Sequence, residues 1–251
     1  MRLTNTLKAV GFFLAIFSFN TPALADAQAE VNAAMTSSDT VKVIQKRSWI
    51  GVSHFFGFKP KNPVSTRGLI IYPGAFVDPR NYAPIARHFA DQGYYAAVVT
   101  PPFNFDFLGV QYATYVKNHW GEDKVTEWVI GGHSLGGVVA ADYVSANRAA
   151  KDRVHSLFLL AAYTSPLTNL SNLNKPVTSI YGTVDGLTSI GDIENSKKKL
   201  PAHTKFVGID GGNHTQFYYW DSLQNNDNPA QISREQQQAI VEQEIGLLLT
   251  M

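Results

Sequence analysis

The chain has 251 residues, with 21 basic side chains against 20 acidic ones and no cysteine. The near-zero charge leaves no broad electrostatic attraction for nucleic acid, and the missing cysteines exclude disulfides, thiolate metal sites and a cysteine nucleophile. This length suits one domain with a full hydrophobic core.

The first 25 residues have the pattern of a secretory signal peptide. Arg2 and Lys8 begin the segment, residues 9–19 are nearly all apolar, and Ala23-Leu24-Ala25 gives an A-x-A cleavage pattern. The apolar run has about half the length of a membrane-spanning helix, which favours a cleaved leader over an anchor. We therefore expect an exported protein, periplasmic or secreted, with no stable membrane insertion.

The segment after the leader divides into a short lead and a single domain. Residues 26–40 are small and polar and are predicted to be a mobile lead, and residues 41–251 form the domain. Two stretches between residues 41 and 58 are rich in β-branched and aromatic side chains, which predicts two opening strands. The apolar run at residues 68–72 predicts a buried parallel strand.

A helix is predicted over residues 79–91. Asp78 has the position of an N-cap, and Pro79 follows at the first helical position. The apolar side chains of this segment, at Tyr82, Ile85, Ala86 and Phe89, have the spacing of one helix face, and Gly93 ends it.

Strands and helices alternate along the rest of the chain. Strands are predicted near residues 94–100, 125–130, 154–162, 177–181 and 205–209, and helices near residues 109–119, 137–144 and 231–249. This alternation predicts an α/β fold with a mostly parallel sheet covered by helices on both faces. The segment from residue 162 to residue 177 is too short to hold a lid domain.

The G-x-S-x-G pattern Gly132-His133-Ser134-Leu135-Gly136 lies between a predicted strand and a predicted helix. In that context the pattern indicates a nucleophile elbow, a tight turn that presents the serine hydroxyl above the carboxyl end of a sheet. Ser134 is therefore the predicted nucleophile.

An acid and a base follow Ser134 in the chain order that this kind of site requires. Asp185 and His214 each come just after a predicted strand, so both should lie at the sheet edge that presents Ser134. Asp210 is the second choice for the acid, with the alternative role of capping a turn. His133 is held in the elbow and is not expected to reach the hydroxyl.

Hydrolysis through a serine also needs hydrogen-bond donors for the oxyanion. One expected donor is the backbone N–H of Leu135, the residue after the nucleophile. The other should come from the loop after residue 72, where Ala75 is the first choice and Phe76 the second. An ordinary turn is the alternative interpretation of this loop.

Three segments of the chain resemble the α/β-hydrolases, and within them a bacterial branch similar to dienelactone hydrolases. They are IYPGAFVDPRNYAP at residues 71–84, GGHSLGG at residues 131–137, and GGNHTQF at residues 211–217 together with ISREQQ at residues 232–237. The resemblance implies an α/β-hydrolase fold without a separate lid, with Ser134, Asp185 and His214 as the catalytic triad. Dienelactone hydrolases commonly use a cysteine nucleophile, so the resemblance concerns fold and serine chemistry rather than substrate.

Aromatic side chains near the catalytic edge are candidates for the substrate pocket. Phe103, Phe217 and Tyr218 could line it, or could pack helices onto the sheet. We expect a small-molecule ester substrate with a short or soluble acyl group. Thioester, lactone or amide hydrolysis and a non-catalytic binding domain are the alternatives. The motifs imply no cofactor or metal, and none indicates an oligomeric state.

Overall fold

The computed structural model describes residues 26–48, 51, 53–104, 109–120 and 125–251. The predicted signal peptide lies outside these residues. Eight described strands form one sheet: β1 (Val41–Arg47), β2 (Ser53–Pro60), β3 (Arg67–Tyr72), β4 (Tyr95–Val99), β5 (Glu127–His133), β6 (Val154–Leu160), β7 (Val177–Gly182) and β8 (Lys205–Ile209).

Six α-helices are described along the same part of the chain. They are α1 (Ala27–Ala34), α2 (Ala83–Asp91), α3 (Tyr112–Trp120), α4 (Leu135–Ala146), α5 (Ile190–Ser196) and α6 (Arg234–Thr250). The predicted alternation of strands and helices after residue 67 is confirmed.

The sheet has the strand order β1-β2-β4-β3-β5-β6-β7-β8. The pairs β1–β2 and β2–β4 are antiparallel, and every pair from β4–β3 to β7–β8 is parallel. The predicted, mostly parallel sheet is therefore confirmed. Because β3, β5, β7 and β8 run in the same direction, the loops that follow them meet at one edge of the sheet.

Helices cover both faces of the sheet, and alternate side chains of a strand enter different cores. Leu69 and Ile71 of β3 pack in a core with α1, α2 and α6, whereas Ile70 and Tyr72 pack in a second core with α3 and α4. All four side chains are fully buried. This two-sided burial explains why the strand has a continuous apolar sequence rather than an alternating one.

The predicted helix at residues 79–91 is confirmed, with a different first turn. The Asp78 carboxylate accepts a hydrogen bond from the Arg80 N–H, and Pro79–Tyr82 forms a 3₁₀ turn that leads into α2. Tyr82, Ile85 and Phe89 are buried, as their spacing predicts. Gly93 follows the helix with φ +93°, a conformation that favours glycine.

The prediction of a mobile lead at residues 26–40 is corrected by helix α1. Asp26 caps this helix, and Ala27, Val31 and Ala34 are buried in the core that contains α2. The Ala27 N–H donates to the Asp221 carboxylate at 2.8 Å, and the Glu30 carboxylate pairs with Arg234 at 3.0 Å. Burial of three small apolar side chains, spaced by about one turn, orders a segment whose composition is mostly polar.

Candidate active site

Ser134 occupies a strained turn between β5 and α4. Its backbone has φ 53° and ψ −126°, a conformation with positive φ that is rare for a residue other than glycine. The Ser134 N–H donates to the Leu160 carbonyl of β6 at 2.9 Å. A Cβ atom at Gly136 would lie 1.9 Å from the Pro73 carbonyl oxygen, so only glycine allows α4 to pass so close to the loop after β3.

The loop after β3 is tied to the elbow through Tyr82. The Tyr82 hydroxyl accepts a hydrogen bond from the Gly74 N–H at 2.9 Å and contacts His133 Nδ1 at 2.8 Å. His133 is buried, and burial, followed by the neighbouring His214, lowers its pKa well below the usual value. His133 is therefore neutral at neutral pH and serves to anchor this loop beside Ser134.

The two predicted sources of oxyanion donors differ in their geometry. Leu135 is the first residue of α4, where the helix offers its N–H no partner, and it lines the same cavity as Ser134. The Ala75 N–H has no acceptor in the part of the chain that the structure describes. The Phe76 N–H instead donates to the Asn104 carbonyl at 2.8 Å, so the choice of Phe76 as a donor is corrected.

The imidazole of His214 is hydrogen-bonded to Asp185. His214 Nδ1 lies 2.8 Å from Asp185 Oδ2, and both side chains are almost fully buried. The other oxygen, Oδ1, accepts from the Leu187 and Thr188 N–H groups at 2.8 and 2.7 Å. Asp210 lies instead beside Thr183, with 3.3 Å between its Oδ1 and the threonine Oγ1. Of the two candidate acids, Asp185 is the one that contacts the histidine.

Ser134 and His214 line one cavity of about 300 Å³. His214 Nε2 is buried and has no hydrogen-bond partner among the described residues, including Ser134. The hydrogen bond between a catalytic serine and its histidine is often long or poorly aligned before substrate binds, and it tightens on binding. The cavity is lined by Ser134, Leu135, Val138, Ala161, Ala162, Tyr163, Leu187, Thr188, His214 and Gln224.

Residues 68–239 match the sequence profile of the alpha/beta hydrolase family. The chain belongs to this family. No curated protein sequence matches it.

Solved structures of other proteins resemble the fold of this hydrolase at low sequence identity. An esterase from Pyrobaculum calidifontis is 16% identical and has a TM-score of 0.65, with 90% of each chain covered. A protein from Klebsiella pneumoniae subsp. pneumoniae, provisionally described as a dienelactone hydrolase, is 15% identical with a TM-score of 0.61, covering 83% of this chain and 97% of its own. Est1E from Butyrivibrio proteoclasticus is 14% identical with a TM-score of 0.58, covering 85% of this chain and all of its own. At these identities the likeness concerns the fold.

The three aromatic residues predicted to bind substrate do not line the cavity of this hydrolase. Phe217 is fully buried and stacks on His133. Tyr218 is also buried, and burial, together with the charge of Asp227, raises its pKa to about 12. Phe103 is 89% exposed. The prediction is corrected for Phe217 and Tyr218, where the alternative role in packing is the one observed, and it stays a prediction for the exposed Phe103.

Sequence reasoning missed several residues near the catalytic edge of the hydrolase. Leu187, Thr188 and Gln224 line the cavity, and Asp227 binds the loops that carry Asp185 and His214. Gln224 and Asp227 lie in a polar stretch, QNNDN at residues 224–228, whose composition is that of any surface turn. Their roles depend on contacts with residues distant in sequence, and no local pattern indicates them.

The described part of the chain has neither a candidate metal site nor a candidate membrane-spanning helix. It contains no group of three His, Asp or Glu side chains with the geometry of a metal site. Its helices include none long and apolar enough to cross a membrane.

Proposed function

We propose that this protein hydrolyses carboxylic esters through an acyl-enzyme on Ser134. The observation that carries the proposal is the Asp185–His214 hydrogen bond of 2.8 Å, with the other imidazole nitrogen unpartnered among the described residues and with His214 and Ser134 lining the same cavity. An imidazole oriented by a carboxylate and open at its other nitrogen is the arrangement that activates a serine hydroxyl.

The reaction proceeds in two halves. In the first, Ser134 Oγ attacks the ester carbonyl while His214 Nε2 takes the hydroxyl proton, and the N–H groups of Leu135 and Ala75 bind the oxyanion. The intermediate collapses to acyl-Ser134, and His214 gives the proton to the departing alcohol. In the second half, His214 takes a proton from water, which attacks the acyl group, and then returns the proton to Ser134. Asp185 remains ionised and holds the imidazole.

Cavity size and connectivity support a short or soluble acyl group. A volume of about 300 Å³ is at the small end of ligand pockets. The connection between β6 and β7, where this fold can carry an inserted lid, spans only residues 161–176. The esterases among the similar structures support the choice of an ester bond.

The test is a panel of p-nitrophenyl esters of increasing chain length, with a thioester, a lactone and an anilide. We expect hydrolysis of the short esters, and Ser134→Ala should lower kcat by about 10⁶-fold. Ser156→Ala is the control, because Ser156 is a buried serine of β6 that does not line the cavity and whose hydroxyl has no hydrogen bond in the described structure. A preference for another bond or for long chains would change the substrate class.

A fluorophosphonate probe tests the serine chemistry independently of the substrate. The wild type and Ser156→Ala should be labelled, and Ser134→Ala should not. Absence of label on the wild type would contradict the proposed mechanism and favour a binding domain.

We also propose that the protein is exported, with cleavage after Ala25. Asp26, the next residue, is the N-cap of α1, so that cleavage leaves the cap and the helix intact. Fractionation of expressing cells and mass spectrometry of the purified protein test this. Export predicts a protein that begins at Asp26 in the periplasm or medium, and an uncleaved protein in the cytoplasm would contradict it.

A further inference from the structure

The carboxylate of Asp227 is the hub of a hydrogen-bond network beside the candidate triad. Asp227 is only 8% exposed. Its Oδ1 accepts from the N–H groups of Gly186, His214 and Asn228 at 3.0, 3.3 and 2.9 Å. Its Oδ2 accepts from both the N–H and the hydroxyl of Thr215, each at 2.7 Å.

Two of the donors belong to the loops that carry the acid and the base. Gly186 directly follows Asp185, and the N–H of His214 is itself one of the donors. A single carboxylate therefore binds the backbone at both ends of the Asp185–His214 hydrogen bond. The two loops follow different strands, β7 and β8, and Asp227 belongs to a third segment that comes after both.

The neighbouring asparagines repeat this connection. The Asn228 amide donates to the Val184 carbonyl at 3.0 Å, and the Asn213 amide donates to the Asn228 carbonyl at 2.8 Å. Asn228, the residue after the hub, thus joins the same three segments. In addition, the Gln224 N–H donates to the Thr215 hydroxyl at 3.0 Å, which brings Gln224 to the cavity wall.

We propose that Asp227 is a positioning residue that fixes the relative placement of Asp185 and His214. The inference rests on the proposed function, since it assigns Asp227 to the machinery of Ser134 hydrolysis. Four N–H groups and one hydroxyl donate to this carboxylate. Hydrogen bonds to a carboxylate are stronger than those between neutral groups, so five of them hold the side chain firmly. A proton acceptor misplaced by 1 Å can cost about 10²-fold in rate, so such a hub acts on catalysis through geometry.

The test compares Asp227→Ala and Asp227→Asn with the wild type. Alanine removes every acceptor, whereas asparagine retains one oxygen that can take the place of Oδ1 against Gly186 and His214. We expect kcat to fall by about 10²-fold in Asp227→Ala with a smaller change in KM, and to recover partly in Asp227→Asn. Thermal melting and circular dichroism establish that each variant is folded.

Asp142→Ala is the matched control. Its carboxylate also joins a helix to a loop, by accepting hydrogen bonds from the hydroxyls of Ser165 and Thr168, and none of its hydrogen bonds in the described structure involves Asp185 or His214. A purely structural role for Asp227 predicts that both alanine variants lose stability and keep kcat per folded molecule. That result would overturn the proposal.

A proton NMR measurement tests the same geometry without any substrate. The Nδ1 proton of His214 should give a downfield resonance in the wild type, identified by its absence in His214→Ala. We expect this resonance to broaden or disappear in Asp227→Ala and to persist in Asp142→Ala. An unchanged resonance in Asp227→Ala would refute the positioning role even if the wild type proved inactive on esters. Absence of fluorophosphonate labelling in the wild type would instead refute the proposed function.

Discussion

In the proposed mechanism, Ser134 and the loop of Ala75 form the nucleophile half of the site, and Asp185 and His214 form the acid–base half. The structure holds the two halves differently. The nucleophile half is one continuous strand–turn–helix segment packed against the loop of the neighbouring strand β3. The acid–base half comes from two loops that a third segment, residues 224–228, joins through polar side chains. The first depends on local backbone shape and the second on contacts that are distant in sequence.

The two halves should therefore respond differently to substitution. At Gly136 an added methyl group meets main-chain atoms that cannot move without displacing β3 or α4, so the whole fold should respond. At Asp227 the donors lie in loops, so the fold can survive while the hydrogen bond between Asp185 and His214 is displaced. Substitution of Gly136 should therefore change mainly stability, and substitution of Asp227 should change mainly the rate.

The largest expected effect on stability is that of Gly136→Ala. The new Cβ atom would lie 1.9 Å from the Pro73 carbonyl oxygen, and relief of that overlap should cost about 3 kcal/mol of unfolding free energy or more. Urea unfolding and the soluble yield measure it. Gly191→Ala is the control, because its Cβ would meet nothing closer than 3.5 Å. Equal stability of the two variants would show that the close approach of α4 to the loop after β3 does not require glycine at residue 136.

Tyr82→Phe should have the next largest effect, on rate. The substitution removes the acceptor of the Gly74 N–H and the contact with His133, so the loop of Ala75 loses its anchor. We expect kcat to fall about tenfold, less than for loss of a whole oxyanion donor.

Tyr72→Phe is the control for this substitution. The Tyr72 hydroxyl is hydrogen-bonded to the Val110 carbonyl and the Ala113 N–H, at the start of α3. Both variants should lose similar stability, about 1–3 kcal/mol for the buried hydrogen bonds. An equal loss of kcat in both would show that Tyr82 acts only through stability.

A smaller effect is expected on the pH dependence of stability. Burial lowers the pKa of His133, so in the pH range below about 6.5 the unfolded chain binds a proton that the folded chain does not. The contribution of this residue to stability is therefore present above about pH 6.5 and is lost as the pH falls. Urea unfolding between pH 7 and pH 5 should give a shallower loss for His133→Gln than for the wild type, and equal slopes would contradict the argument.

Phe76→Gly should have the smallest effect. Phe76 is 76% exposed with φ 59°, and its N–H is bound to the Asn104 carbonyl. Glycine accepts this backbone angle without a steric cost but adds freedom to the unfolded chain, so unfolding free energy should change by less than about 1 kcal/mol. Thermal melting and kcat should both stay close to the wild type. A large loss of kcat would mean that the aromatic ring contacts the substrate.

The features that could be predicted from the sequence depend on local contacts, and those that could not depend on contacts between residues distant in sequence. The elbow of Ser134 is encoded by consecutive residues, and the positions of Asp185 and His214 follow from counting strands, because parallel strands end at one edge. Helix α1 was missed because only Ala27, Val31 and Ala34 give it an apolar face, and its stability comes from packing on the core. The sequence leaves Phe217 and Tyr218 open to a pocket or a packing role, because proximity to His214 in sequence does not tell which way a side chain points.

The sequence by itself determined the alternation of strands and helices, the parallel sheet, the turn at Ser134 and the order of the candidate acid and base. These depend on periodicity, glycine and local backbone conformation, which neighbouring residues control. The tertiary structure alone decided between Asp185 and Asp210, the packing of α1, and the place of Asp227 between two loops. Hydrogen bonds between segments depend on where the chain brings distant atoms, to within a few tenths of an ångström, and no local pattern of residues specifies that.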